Sequence, residues 1–346
     1  MKHLFYVHSH ITFLVSKQYV FDKGINPDDC LFFCVREYKL PERYRSLFKN
    51  VLSYPIDVLP NGSLRILENY NIIDAYRNIK LLEEKINDYF NKDTFIYYVP
   101  NAQSDCSSAI ITMSQCKRFM IIEEGCMSYA SKDVVPCVFI GVKLYLYYFI
   151  RIFFYRILAV KNWRLPYNHK KFYGTIAMSS GAFYDTSGEK MIVSNPFDRE
   201  ELSIVPDAIL SIDASLPIFF TKETVVDLYI RLLKFFKSKG YTKVAYKFHP
   251  NFYFQHITEE YREIIHNTFG ELVYELPSET VIENILNTYD VAFYSDYSSI
   301  ALYASFLGRK SWSYARFLTS FNEKYAQQIK KADKILQYYT DISGML

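Results

Sequence analysis

Short runs of apolar, β-prone residues alternate along this chain with longer stretches of helical periodicity. In the first half, residues 4–7, 30–35 and 94–99 read as strands, and 119–122 is a further short one running straight into two acids. Residues 69–90 place charges on one side of a helix and Ile, Leu and Tyr on the other. In the second half, 208–212, 244–248, 272–275 and 291–294 are the strand candidates. Residues 221–239 and 278–288 read as helices, the latter starting at Ser278 as N-cap, and 300–306 has a helix-like pattern. Such alternation builds parallel sheets with helices on both faces. The predicted fold class is α/β, with two doubly wound Rossmann-like domains facing a central cleft and ligands held at the carboxyl ends of their strands. Polar, glycine-containing sequence between 164 and 184 breaks the periodicity and reads as the linker, giving domains 1–170 and 171–346.

Composition bounds the function. A chain of 346 residues fits two domains of about 150 residues each. A net charge of +3 without a Lys/Arg run argues against nucleic acid. Tyr and Phe are abundant, at 32 and 28 copies against 11 Gly, which reads as a compositional bias with some preference for a membrane surface. The six cysteines at 30, 34, 106, 116, 126 and 137 contain no CxxC and no matching His pair. They read as buried free thiols of a reducing compartment. The N-terminal run is too short for a signal peptide and is broken by His8 and His10, so the expected location is cytoplasmic. One segment complicates this: 138–160 is long and apolar enough to span a bilayer but carries Lys143, Arg151 and Arg156. Three readings stand for it: peripheral membrane contact through 138–164, a buried or inter-domain helix, and a true span.

Three constellations fall at strand ends. Glu123 and Glu124 follow the 119–122 strand, and Gly125 permits a sharp turn. A partly desolvated carboxylate there suits a general base, although an isolated acidic pair is also an ordinary solvated turn. Lys247, His249 and Pro250 end the 244–248 strand; Pro250 stops it, and His249 is placed to donate to a leaving phosphate or to serve structure alone. Ser298 and Ser299 open the helix after Asp296-Tyr297, as an anion cradle or a plain N-cap. Glu283, within 278–288, could accept from ribose hydroxyls.

The order of these motifs resembles that of bacterial sialyltransferases of GT-B architecture, including glycosyltransferase family 52, the polysialyltransferases and the multifunctional family-80 enzymes. Those families share a (D/E)(D/E)G motif in the first domain, then a His-Pro motif and a paired Ser/Thr motif. Residues 276–283 also look like the family's "LP…E" helix, and 6–10 are similar to its first-strand segment. The resemblance implies an inverting transfer of sialic acid from CMP-sialic acid to a glycan hydroxyl of a bacterial surface, lipooligosaccharide or capsule. Glu123 would be the base, with Glu124 its substitute. His249, Ser298 and Ser299 would hold the departing CMP phosphate with Lys247 and Pro250 beside them, and Glu283 would bind the ribose. No DxD motif occurs, so neither metal nor cofactor is expected. The first domain would serve the acceptor and the second the donor. Residues 296–304 also resemble the "DYSS" segment of CDP-glycerol glycerophosphotransferases, although Tyr303 stands where that family has an acid. The reading from another class is a non-catalytic, membrane-associated interaction protein.

Overall fold

The computed structural model describes residues 1–35, 38–53, 72–102, 105–129, 169–183, 186, 188–249, 252 and 257–346. They form two units, Met1–Pro196 and Phe197–Leu346. The segment 138–164, Pro250 and Cys137 lie outside the described residues, as does the side chain of Cys126.

The first unit runs β1 (Lys2–Val7), α1 (His10–Asp22), β2 (Cys30–Cys34), α2 (Glu42–Arg45), β3 (Val51–Ser53), α3 (Ile72–Phe90), β4 (Phe95–Val99), α4 (Asp105–Thr112), β5 (Cys116–Ile122), β6 (Phe172–Ala177) and β7 (Glu189–Ile192). Its seven strands pair in parallel in the order β3-β2-β1-β4-β5-β6-β7. Every residue of β2 is buried, as a parallel strand covered on both faces requires. The strand order reverses direction between β1 and β4, which makes their carboxyl ends a switch point.

The second unit runs β8 (Ala208–Ile212), α5 (Ser215–Phe219), α6 (Lys222–Ser238), β9 (Val244–Phe248), α7 (Thr258–Phe269), β10 (Val273–Glu275), α8 (Ile282–Thr288), β11 (Ala292–Ser295), α9 (Ser299–Phe306), β12 (Ser311–Ser313), α10 (Ala315–Thr319), α11 (Glu323–Lys331), α12 (Asp333–Leu336) and β13 (Thr340–Asp341). The sheet order is β10-β9-β8-β11-β12-β13, all parallel, with a switch point between β8 and β11. Alternation along the strands sorts the core. Leu210, Ile212, Tyr246 and Phe248 pack with α6 and α7, while Ile209, Ala245 and Phe293 pack with α8 and α9. Each fully buried large side chain contributes about 1.5–3 kcal/mol.

Four expectations change. The boundary after residue 170 moves to Pro196/Phe197, because β6 and β7 extend the first sheet. Gly174 looked like linker punctuation, yet a Cβ there would lie 2.0 Å from the Glu189 carbonyl oxygen. It is the glycine that lets β6 and β7 approach. The helix expected over 278–288 starts only at Ile282, capped at Val281 without a side-chain bond. Residues 277–280 turn instead, with the Thr280 N–H donating to the Pro277 carbonyl at 3.0 Å. Part of the tyrosine abundance expected to favour a membrane surface is core material: Tyr97, Tyr98, Tyr229, Tyr246 and Tyr294 are fully buried. Phe5 and Tyr98, for example, stack at 4.3 Å.

Cys30, Cys34, Cys106 and Cys116 are buried free thiols. Burial pushes the thiols of Cys30, Cys34 and Cys116 up to about 12, so all three stay protonated and inert. Among the described residues, no helix is long and apolar enough to cross a membrane.

Candidate functional site

In the first unit, β5 delivers the two acids to the carboxyl edge of the sheet, and they part there. Glu123 is fully buried. Its Oε1 accepts from the Tyr129 hydroxyl at 3.0 Å and its Oε2 from the Met178 N–H at 2.7 Å. Its own N–H donates to the Ile176 carbonyl at 2.9 Å, continuing the β5–β6 ladder. Glu123 thus ties the turn after β5 to the turn after β6. Gly125 sits at φ +106°, where glycine is favoured, and its carbonyl accepts from the Ser128 N–H at 3.0 Å.

Glu124 is the accessible member of the pair. Its N–H donates to Ser128 Oγ at 3.0 Å, and its Oε2 lies 3.6 Å from His8 Nε2. His8 stands between β1 and α1, and Glu124 follows β5, so the pair reaches across the end of β4 at the switch point. The turn carrying His8 is fixed by a reciprocal capping box. The Thr12 N–H donates to Ser9 Oγ, and the Ser9 N–H donates to Thr12 Oγ1 at 3.2 Å. His10 instead pairs through Nδ1 with the Tyr38 hydroxyl at 3.1 Å.

In the second unit, three neighbouring strand ends meet the edge. The His249 N–H donates to the Ile212 carbonyl at 2.9 Å, one step beyond the Ile212–Phe248 pair, and this sets His249 beside Asp213. His249 is exposed. Ser298 caps α9 through a bond from the Ile300 N–H at 3.3 Å, and both Ser298 and Ser299 are half-buried. Lys247 and Glu283 go elsewhere. The Lys247 ammonium donates to the carbonyls of Ser278 (2.9 Å) and Thr280, tying down the 277–280 turn. Glu283 is buried in the first turn of α8 within the field of Lys247; burial raises its pKa and Lys247 opposes the rise. Burial lowers the Lys247 pKa in return, against the pull of Glu283, Glu279 and Glu200. Of the two expected donor ligands, Lys247 holds the loop that precedes α8.

Sequence reasoning missed a carboxylate pair at this switch point, one member half-buried and the other fully buried. Asp213 follows β8 and Asp296 follows β11, the two central strands. Ser215 bridges them: its N–H donates to Asp213 Oδ1 at 2.8 Å and its hydroxyl to Asp296 Oδ2 at 2.5 Å. Asp296 is fully buried and also accepts from the Tyr325 hydroxyl at 3.1 Å and the Tyr297 N–H at 2.7 Å. Burial and the charge of Asp213 hold the Asp296 pKa well above the usual carboxylate range, against these three donors. Burial raises that of Asp213 as well, opposed by Ser215 and His249. The available signal was the one used for Glu123: an acid directly after an apolar run.

These raised values have a sign. A carboxyl whose folded pKa exceeds its unfolded one gives stability that is fully present below about pH 4 and lost as pH rises through the folded value. Asp296→Asn keeps an acceptor and supplies a fixed N–H donor. It is therefore expected to flatten the fall in urea midpoint from pH 5 towards pH 8, and an unchanged slope would sink the assignment. Among the described residues, no group of three or more His, Cys, Asp or Glu is arranged to hold a metal ion.

No protein-family model matches the chain, and neither does any curated protein. Solved structures do. A protein described as a UDP-N-acetylglucosamine 2-epimerase from Listeria monocytogenes matches with TM-score 0.52 and 10% identity, over 98% of this chain and 91% of that one. Another UDP-N-acetylglucosamine 2-epimerase matches with TM-score 0.50 and 10% identity, over 97% and 90%. The shared feature is the fold. It is α/β, two doubly wound Rossmann-like domains of GT-B type. Both structures are named for a uridine-diphosphate sugar, and this corrects the expected function and the expected partners. CMP-sialic acid as donor, a surface glycan as acceptor and the CDP-glycerol alternative rested on resemblances carried by short motifs. Those motifs sit on an architecture shared with enzymes named for a different nucleotide sugar. A shared fold does not carry a function with it, and short strand-end motifs on such a fold do not select a donor.

Proposed function

We propose that this chain is an enzyme acting on a UDP-sugar, with the diphosphate bound at the carboxyl edge of the second unit. The observation that carries the reading is the β9–β8–β11 edge, where exposed His249 and the Ser298/Ser299 start of α9 stand on the two strand ends that flank β8. A helix N-terminus offers free N–H groups and a positive dipole end to phosphate, and a histidine adds a charge-assisted donor. In the first unit, Glu124 is assigned as the base, oriented by His8, because Glu123 is buried with both its oxygens occupied.

Calorimetry and thermal shift with UDP, UDP-N-acetylglucosamine and CMP test the reading. UDP at a hundredfold excess over its Kd is expected to add about 2.7 kcal/mol of stability, and CMP much less. His249→Ala is expected to weaken UDP roughly tenfold, the value of one hydrogen bond to a charged group. No response to UDP or to the UDP-sugar would sink the proposal.

A further inference from the structure

We propose that Asp213 binds the diphosphate as a neutral carboxylic acid, donating to a phosphate oxygen a proton that it shares with Asp296. This deepens the nucleotide-binding reading above and rests on it. Asp213 occupies the end of β8, the middle of the three strand ends that form the proposed phosphate edge, between His249 on one side and the Asp296–Ser299 turn on the other. It is half-buried, whereas Asp296 is fully enclosed. An ionised carboxylate in that place would repel the ligand that its neighbours attract. A carboxylic acid has an O–H to give and no charge to repel.

The surroundings keep a proton on the pair. Ser215 joins the two side chains, giving its N–H to Asp213 and its hydroxyl to Asp296, so a second negative charge would be crowded against the first. The titratable groups facing them from the packed elements are tyrosines and one histidine. Tyr325 of α11 donates to Asp296, while Tyr314, before α10, and Tyr229 of α6 lie within electrostatic reach. Tyr339, before β13, acts on Tyr314 and bonds Ser295 at 2.6 Å, and Tyr297 lies in the turn after β11. The Tyr229 hydroxyl is buried without a hydrogen-bond partner among the described residues and bonds neither carboxyl. His249, at the end of β9, opposes the rise at Asp213. Two carboxylates that share a site resist ionising together, so the second proton is held to higher pH than on an isolated acid. Burial of Asp296 and the raised pKa of both groups agree with this.

The test is calorimetric titration of UDP from pH 6 to pH 8, in two buffers of different ionisation enthalpy, with uridine as the phosphate-free control. Wild type is expected to take up close to one proton on binding UDP at pH 8 and to weaken about tenfold per pH unit there. Asp213→Asn carries a permanent donor without charge. It is expected to bind UDP about tenfold tighter than wild type at pH 8, with a slope lower by about one proton. Asp213→Ala should bind more weakly at pH 6. Equal slopes in wild type and Asp213→Asn, or weakening by Asp213→Asn at every pH, would overturn the proposal.

Two measurements separate this proposal from the UDP reading. Infrared difference spectra of wild type against Asp296→Asn, without nucleotide, should show a protonated carboxyl band at pH 7, and its absence overturns the shared proton. Inorganic pyrophosphate tests the phosphate contact without uridine. Binding of pyrophosphate with the wild-type slope, but no binding of UDP, would retire the UDP reading and keep Asp213 in place. Failure of both ligands to bind overturns the proposal.

Discussion

Glu124→Gln is expected to lower turnover of a UDP-sugar by about 10²–10⁴, the usual contribution of a positioned general acid or base, without loss of UDP binding. The substitution keeps the size and the half-buried setting of the side chain beside His8 and removes its capacity to take a proton. UDP release measured at saturating UDP-N-acetylglucosamine reads the loss in kcat, and calorimetry reads the retained affinity. A mutation that lowers kcat with unchanged binding has removed an interaction made in the transition state. His8→Asn should cost less, because His8 acts through the carboxylate it orients. Full turnover in Glu124→Gln would remove Glu124 from the chemistry.

The second large effect falls on its neighbour and concerns stability. Glu123→Ala strips the acceptor from the buried Tyr129 hydroxyl and from the Met178 N–H. A buried donor left without its partner costs about 1–3 kcal/mol, so the pair costs about 2–6 kcal/mol. The urea midpoint of the first unit should fall accordingly at unchanged m. Glu123→Gln, which still offers one acceptor oxygen, should lose roughly half as much. If Glu123→Ala instead kept its midpoint and abolished turnover, the two adjacent acids would exchange roles, with Glu123 the base and Glu124 the structural partner.

The contrast between Glu123 and Glu124 shows where reading from sequence stops. Their position after an apolar run placed both at a strand end, and both are there. Which one is enclosed depends on Met178, 55 residues away, and on the way the Gly125 turn brings Tyr129 back. The same limit applied to Lys247. Its place on β9 was legible, but the two carbonyls that take up its ammonium belong to a turn misread as the first part of a helix. Ser278 satisfied the compositional rule for an N-cap, and the tertiary demand of the lysine overrode it. Gly174 misled in another way, since glycine marks loops and close strand approaches alike, and only the partner strand tells them apart.

The alternation of apolar runs and amphipathic stretches was enough to determine the α/β class, the parallel sheets and the strand ends that carry His249, Ser298 and the two adjacent acids. These are local properties: a strand buried on both faces must be apolar along its length, and a helix packed on it must be apolar along one side. The pairing of Asp213 with Asp296 was decided by tertiary structure alone. Ser215 and Asp296 are 81 residues apart and meet because β8 and β11 lie side by side in the sheet. Strand order is a property of the assembled sheet, set by which helices cover which face, and no local pattern encodes it. A carboxylate's burial, partners and proton follow from that order, so the chemistry at the switch point was settled only by the fold.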